Sequence, residues 1–199
     1  MTTDDDPEIV NLMRQALERS RGYASYWEWK LDKRQPELHA AQVLGRFLFP
    51  DIEHSVSTIV NDPPDAVIKL GSRRYGIEVT EIVERQAIER AAGRKSLGFP
   101  VEYDWGDWNR DRLFLALSNG ILAKDQKLAK SAHHYEELLL VFVTDEPMIY
   151  PELVTSVLET LPMETRYIDR AFVILSYHPA ADPSMFPDRC PIFEIPINH

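Results

Sequence analysis

The sequence is short of cysteine and of long apolar runs. A single cysteine, Cys190, among 199 residues cannot form an internal disulfide or a cysteine-built zinc site, which fits a reducing compartment. No stretch approaches the roughly 18 uncharged apolar residues of a membrane span, and the opening TTDDDPE is acidic where a signal peptide would be basic. These absences predict a cytoplasmic protein with no membrane partner, in which carboxylates or imidazoles hold any metal.

The chain also lacks an excess of positive charge. Its 22 lysines and arginines are outnumbered by 32 acidic residues, which gives a formal charge of −10. Because a basic surface supplies most non-specific affinity for nucleic acid, this balance counts against indiscriminate binding. A metal-dependent nuclease must nevertheless gather carboxylates, so a nucleic-acid partner stays compatible with the charge. Local basic groups are present at Lys69/Arg73/Arg74, Arg90/Arg94/Lys95 and Lys124/Lys127/Lys130.

Hydrophobic periodicity indicates an α/β fold. Apolar residues at helical spacing predict helices over 8–20, 36–49, 109–131 and 151–161. Strands are expected over 54–60, 65–70, 74–82, 136–144 and 170–177, with a Pro-flanked edge strand at 192–197. Three strands in hairpin order, followed by strands separated by helices, predict a mixed central sheet flanked by helices. We expect 1–7 to be a disordered acidic tail and 8–199 a single domain.

Two carboxylates meet on the predicted hairpin within NDPPDAVIKLGSRRYGIEVTEI. An even-numbered turn at 71–74 would place Asp65 opposite Thr80 and Val67 opposite Glu78. Since strand side chains repeat every second residue, Asp65 and Glu78 would share a face, with their backbones roughly 7–8 Å apart. Two carboxylates that close repel each other unless a cation lies between them, and a hard cation with oxygen ligands is the natural occupant.

This segment resembles the PD-(D/E)xK superfamily of restriction-endonuclease-like nucleases. Pro64-Asp65 matches the first half of the motif and Glu78 the second, whereas Thr80 stands where the family has a lysine that steadies the attacking water. The resemblance implies a restriction-endonuclease-like core with the order α-βββ-α-β. It also implies Mg²⁺ or Mn²⁺ held by Asp65, Glu78 and the carbonyl of Val79, and hydrolysis of phosphodiester bonds in DNA or RNA.

Members of this superfamily that lose the motif lysine often supply one from the following helix. At 100° per residue from Leu113, the main apolar stripe of the helix over 109–131 spans an arc of about 100°. Lys124 lies inside this stripe, at about 20°, and Lys127 lies at its border, at about 320°. Lys124 is therefore the first candidate for the displaced lysine and Lys127 the second. The alternative is that Lys124 only covers apolar surface with its stem.

A further candidate ligand is Glu37 in the predicted helix over 36–49. Its side chain begins a stripe that Ala41, Leu44 and Leu48 continue, and in many nucleases of this superfamily a glutamate from this helix joins the metal site. A glutamate one residue after Pro36 also interacts favourably with the helix dipole without any function. Both interpretations of Glu37 stay open.

The residues leave three functions open. A metal-dependent nuclease is the first, and a nuclease-like fold that no longer cuts but binds nucleic acid or protein is the second. Thr80 and the acidic composition favour the second function. A metal-dependent hydrolase of another substrate is the third, since a fold does not determine a function. The choice between DNA and RNA stays open, and a homodimer is compatible with the sequence.

Overall fold

The computed structural model describes residues 34–59, 63–84, 107–161, 163–176, 184–186 and 189–198. Contacts divide the chain into two units, Met1–Ala24 with Glu84–Gly106 and Ser25–Val83 with Asp107–His199. Every described residue except Glu84 belongs to the second unit. The tail predicted over 1–7 and the helix predicted over 8–20 lie outside the described residues. The division into a tail and a single domain stays a prediction.

A six-stranded mixed sheet forms the centre of this unit, with the strand order β1-β2-β3-β4-β6-β7. Strands β1 to β3 are antiparallel neighbours, β3, β4 and β6 run parallel, and β7 closes the sheet as an antiparallel edge. A small parallel pair, β5 with β8, lies outside this sheet. The strands are β1 (Ser55–Thr58), β2 (Ala66–Leu70), β3 (Arg73–Glu81), β4 (Glu137–Thr144), β5 (Met163–Glu164), β6 (Arg170–Leu175), β7 (Ile192–Ile195) and β8 (Ile197–Asn198).

Helices cover both faces of the sheet. They are α1 (Arg34–Leu48), α2 (Arg110–Leu128) and α3 (Pro151–Leu158), with a 3-10 turn at Ala132–His134. The apolar residues of α1 pack on one face, and those of α2 and α3 pack on the other. Strand β4 is apolar at every buried position except its last residue, Thr144, because it is covered on both sides. None of the described helices is long and apolar enough to cross a membrane.

This architecture confirms the predicted mixed α/β fold and its order of elements. Helix α1 is followed by three strands, helix α2 and strand β4, as the periodicity indicated. The beginning of α2 is defined by Asn109, whose side chain accepts a hydrogen bond from the backbone N–H of Arg112 at 3.0 Å. Helix α2 connects the parallel strands β3 and β4, and it therefore lies beside the predicted site.

The register of the β2–β3 hairpin differs from the predicted one. Val67 lies opposite Gly76 instead of Glu78, a shift of two residues, and the turn contains only Gly71 and Ser72. Gly71 has φ 60°, a left-handed conformation that two-residue hairpin turns use and that glycine adopts without steric cost. The predicted pairing of Asp65 with Thr80 is therefore wrong.

Continuing the observed ladder by one residue beyond Ala66 and Ile77 places Asp65 opposite Glu78. A register shift of one residue would have moved every side chain of a strand to the other face, but a shift of two preserves the faces. Asp65 thus changes from a diagonal to a direct neighbour of Glu78 in register. The shared face that the sequence predicted is retained.

Candidate active site

Glu78 is a fully buried carboxylate in β3, with 0% of its surface exposed. It pairs in register with Leu140 of β4, which packs with the residues of α2. Its neighbours Ile77 and Val79 point to the other face, where they pack with α1. Because burying an uncompensated carboxylate costs several kcal/mol, the partners of Glu78 determine whether this position is tolerated.

Two lysines of α2 compensate the charge of Glu78. Lys124 Nζ lies 2.6 Å and Lys127 Nζ 2.9 Å from the same carboxylate oxygen, Oε1. Residues three apart on a helix lie on one side of it, which explains why both ammonium groups reach one acceptor. Their side chains are 24% and 37% exposed, so they lie between the buried carboxylate and solvent. One carboxylate with two ammonium groups carries a net positive charge.

The second oxygen of Glu78, Oε2, differs from Oε1 in its hydrogen bonding. It is buried and accepts no hydrogen bond from any residue that the structure describes. A buried carboxylate oxygen without a donor is costly, and such atoms commonly mark the place of an ion or a water molecule. Glu78 therefore offers one oxygen to the lysines and keeps the other available for a further ligand.

Asp65 lies directly before β2 and is half-buried. Its Oδ2 accepts a hydrogen bond from the backbone N–H of Val79 at 2.7 Å, which directs the carboxylate toward the residue after Glu78. The Ser131 hydroxyl donates to the Pro63 carbonyl at 2.9 Å and so joins this segment to the chain beyond α2. Asp65 is thereby held at the same end of the hairpin as Glu78. The role predicted for the Val79 carbonyl stays a prediction.

Glu37 belongs to helix α1, which packs on the face of the sheet opposite Glu78. It lies half-buried in the first turn of α1. The other end of α1 is near the start of β3, because the rings of Phe49 and Tyr75 are 5.1 Å apart. Among the described residues, however, no three His, Cys, Asp or Glu side chains are grouped as they would be around a metal ion.

The structure therefore brings Lys124 and Lys127 into contact with Glu78, and it places Asp65 beside the same strand. The three carboxylates Asp65, Glu78 and Glu37 are not grouped around one point. The expected position of Lys124, with its amine at Glu78, is observed. The catalytic and metal-binding roles of all these residues stay predictions.

Sequence reasoning missed Asp125, which fixes the lysine-bearing turn of α2. Its carboxylate accepts hydrogen bonds from the backbone N–H groups of Arg166, Tyr167 and Ile168, at distances between 2.8 and 3.2 Å. Hydrogen bonds to a charged acceptor are the strong ones, and three donors come from the turn before β6. No pattern in the sequence relates this helix to a turn 41 residues away.

A separate cleft of about 270 Å³ is lined by Gln42 and Arg46 of α1 together with His54 and Val56. The imidazole Nδ1 of His54 lies 2.8 Å from the carbonyl oxygen of Ile52. Because Val56 packs with the α1 cluster, this cleft lies on the face of the sheet opposite Glu78. It is distinct from the site formed by Glu78 and the two lysines.

Comparisons with known proteins do not assign the chain to a family. No family model matches it. No curated protein is significantly similar to it. Among solved structures, Pyrococcus furiosus SfsA in complex with Ca²⁺ is similar over 83% of this chain and 63% of that chain, with 14% sequence identity and a TM-score of 0.31. The chain thus spans less than two thirds of that structure.

Proposed function

We propose that this chain is a metal-dependent nuclease of the PD-(D/E)xK type that hydrolyses phosphodiester bonds in DNA or RNA. The observation that carries the proposal is the buried Glu78 carboxylate, with two lysines on Oε1 and no hydrogen-bond donor from the described residues on Oε2. The motif residues Pro64-Asp65 and Glu78 occur on one hairpin. The observed order of elements, α-βββ-α-β, is the order that the resemblance implies.

The residues present fit a divalent cation with few protein ligands. Glu78 Oε2 and the Asp65 carboxylate would hold Mg²⁺ or Mn²⁺, with the Val79 carbonyl and Glu37 as further ligands. Magnesium usually keeps several waters and is bound by one or two carboxylates plus substrate oxygens, so a group of three protein carboxylates is not required. When bound, the ion supplies Lewis-acid polarisation of the phosphate.

The two lysines supply the positive charge that the motif position in β3 lacks. Thr80 has a neutral hydroxyl where the superfamily has an ammonium group. Lys124 is the more buried lysine and the closer to Glu78, and we assign it to orienting the attacking water and stabilising charge that develops on the phosphate. Lys127 is more exposed, and we assign it to binding a phosphate oxygen of the substrate.

A binding module that does not cut nucleic acid is the second candidate. It is favoured by the two ion pairs at 2.6 and 2.9 Å, which neutralise Glu78 without any metal. In that case the lysines act only as structural partners of the carboxylate. The two functions differ in whether Glu78 is required for turnover or only for stability.

Cleavage assays separate these candidates. We would incubate end-labelled single- and double-stranded DNA and RNA with Mg²⁺ or Mn²⁺ and the wild type, Asp65→Asn, Glu78→Gln or the control Glu194→Gln. Glu194 is a carboxylate on β7 with 49% of its side chain exposed, and it pairs with Arg170 at 2.7 Å. We expect products from the wild type and the control, and none from the other two variants. A wild type that cleaves none of the four substrates with either metal would refute the nuclease proposal.

A further inference from the structure

Two lysines share one oxygen of Glu78, which is more than the charge of the carboxylate requires. Lys124 Nζ lies 2.6 Å and Lys127 Nζ 2.9 Å from Oε1. A carboxylate oxygen accepts about two hydrogen bonds, so the two ammonium groups fill its capacity. Either lysine alone would neutralise Glu78 and supply a charge-assisted hydrogen bond to Oε1. One of the two lysines can therefore leave Oε1 while the other still compensates the buried carboxylate.

Lys127 is the lysine that leaves Glu78 at the smaller cost. Its contact with Oε1 is the longer of the two, and its side chain is 37% exposed, against 24% for Lys124. An ion pair is worth less where water reaches one of its partners. A lysine also has a flexible stem and three rotatable donors, so its ammonium group can turn from a carboxylate to another anion. We therefore expect Lys124 to stay on Oε1 when an anion attracts Lys127.

The charges around Glu78 oppose a cation that arrives alone. Asp65 and Glu78 lie at the same end of the hairpin, and the formal charges of these two carboxylates and of the two lysines cancel. A divalent cation would add two positive charges to this group. On the buried Oε2 it would share one carboxylate with two ammonium groups, and like charges repel more strongly in a partly buried site than in water. The lysines are therefore expected to lower the affinity of the site for a metal ion.

A phosphodiester group would relieve this repulsion. Its negative charge can accept a hydrogen bond from Lys127 and draw the ammonium group away from Oε1, which leaves Lys124 as the single cation on that oxygen. A diester also supplies oxygen to the metal, because magnesium completes its coordination with substrate oxygens. Each ligand thus makes the other bind more tightly, and linkage requires the two effects on affinity to be equal.

We propose that Lys127 couples metal binding to phosphodiester binding. It pairs with Glu78 in the absence of ligands and transfers to the diester when metal and diester bind together. The identity of the anion rests on the proposed nuclease function, whereas the effect of Lys127 on metal affinity requires only its charge beside Glu78. The two ion pairs that neutralise Glu78 without a metal are then the ligand-free state of a metal site.

Calorimetric titration of Mn²⁺ in phosphate-free buffer tests the effect of Lys127 on metal affinity. We would compare the wild type with Lys127→Met, which keeps an unbranched side chain but removes the charge. The matched control is Lys130→Met, which removes the same charge from an exposed position three residues further along the chain. We expect Lys127→Met to bind Mn²⁺ about 10-fold more tightly than the wild type, and Lys130→Met to differ from it by less than about 2-fold. Equal or weaker binding by Lys127→Met, or no saturable binding by either protein, would overturn the coupling.

Repeating the titrations with dimethyl phosphate tests the transfer of Lys127 to a diester. Dimethyl phosphate carries the charged diester group of a nucleic-acid backbone without sugar or base, and trimethyl phosphate is a neutral control of similar shape. In the wild type and in Lys130→Met we expect dimethyl phosphate, but not trimethyl phosphate, to tighten Mn²⁺ binding about 5- to 10-fold. In Lys127→Met the gain should shrink to about 2-fold or less. A gain in Lys127→Met as large as in the wild type, or no gain in the wild type, would overturn the coupling.

The outcomes for coupling and cleavage are distinguishable, because neither titration depends on turnover. If the wild type cleaves nucleic acid but Lys127→Met has the Mn²⁺ affinity and the dimethyl phosphate gain of the wild type, the coupling is wrong and the nuclease proposal stands. If the wild type cleaves none of the four substrates, yet Lys127→Met binds Mn²⁺ more tightly and loses the gain, the coupling stands and the nuclease proposal fails.

Discussion

Glu78 in β3 and Asp145, directly after the end of the neighbouring strand β4, are two acidic residues with contrasting surroundings. Lys124 and Lys127 both lie within hydrogen-bonding distance of Glu78, at 2.6 and 2.9 Å. Burial raises the pKa of Asp145 to about 6, a backbone hydrogen bond of its own residue opposes this shift, and the charge of Glu146 adds to it. The buried Oδ1 of Asp145 accepts no hydrogen bond from the described residues.

This difference shows that compensation of buried charge is local in this protein. The chain as a whole is strongly acidic, yet α2 brings two lysines to one carboxylate oxygen of Glu78. Asp145 has no comparable partner among the described residues, and its protonation is favoured instead. The proposed role of Glu78 as a metal ligand can therefore be compared with Asp145, an acidic residue that has no such cations beside it among the described residues.

The largest effect is expected on turnover when Lys124 is removed. This change makes the surroundings of Glu78 more like those of Asp145, because Glu78 loses one of its two cations. Lys124→Ala should lower turnover about 100- to 1000-fold, the range found when one stabilising donor is deleted from an active site. Lys130→Ala is the control, since Lys130 is exposed near the end of the same helical segment. Single-turnover cleavage measures the effect. Equal rates for Lys124→Ala and the wild type would contradict the assignment of the displaced lysine.

A smaller effect is expected on stability when Glu78 loses its charge. Glu78→Gln leaves two neighbouring ammonium groups without their anion, and removing one partner of a buried ion pair is strongly destabilising. Because both lysines are partly exposed and can turn toward water, we expect a loss of about 2 kcal/mol in the free energy of unfolding rather than the full cost. Urea denaturation measures it. Glu194→Gln, at an exposed ion pair, should change stability by less than about 0.5 kcal/mol.

Neutralising Asp145, in contrast to Glu78, is expected to increase the free energy of unfolding at pH 7. Its pKa in the folded protein is about 6, above its ordinary value of 3.8, so the folded state binds the proton more tightly than the unfolded state. The stability that Asp145 contributes through this proton is fully present below about pH 3.8, and it is lost as the pH rises through 6. Asp145→Asn should therefore raise the free energy of unfolding at pH 7 by about 1–2 kcal/mol. Unfolding curves at pH 4 and pH 7 test this, and an unchanged difference between wild type and variant would contradict it.

The sequence predicted the order of elements and the faces of the key side chains, because both depend on local periodicity. Asp65 and Glu78 keep their predicted faces although the register moved by two residues. Helical geometry likewise predicted that Lys124 would reach the sheet beside Glu78. These features need only the spacing of residues within one or two elements.

What the sequence could not supply depends on turns and long-range contacts. The two-residue turn at Gly71 and Ser72 sets the register, and several turn lengths were compatible with the same residues. The contact of Asp125 with the turn before β6 joins segments that no periodic pattern relates. The second ion pair, from Lys127, depends on the rotation of α2, which that contact helps to fix.

Calorimetric titration of Mn²⁺ tests the central claim, that Glu78 holds a catalytic metal and Asp145 does not. We would titrate the ion into the wild type, Glu78→Gln and Asp145→Asn under one condition and compare their affinities. The account predicts saturable binding by the wild type and Asp145→Asn, and a loss of at least about 10-fold in affinity for Glu78→Gln because a ligand oxygen loses its charge. No saturable binding by the wild type, or equal affinity in the wild type and Glu78→Gln, would contradict it.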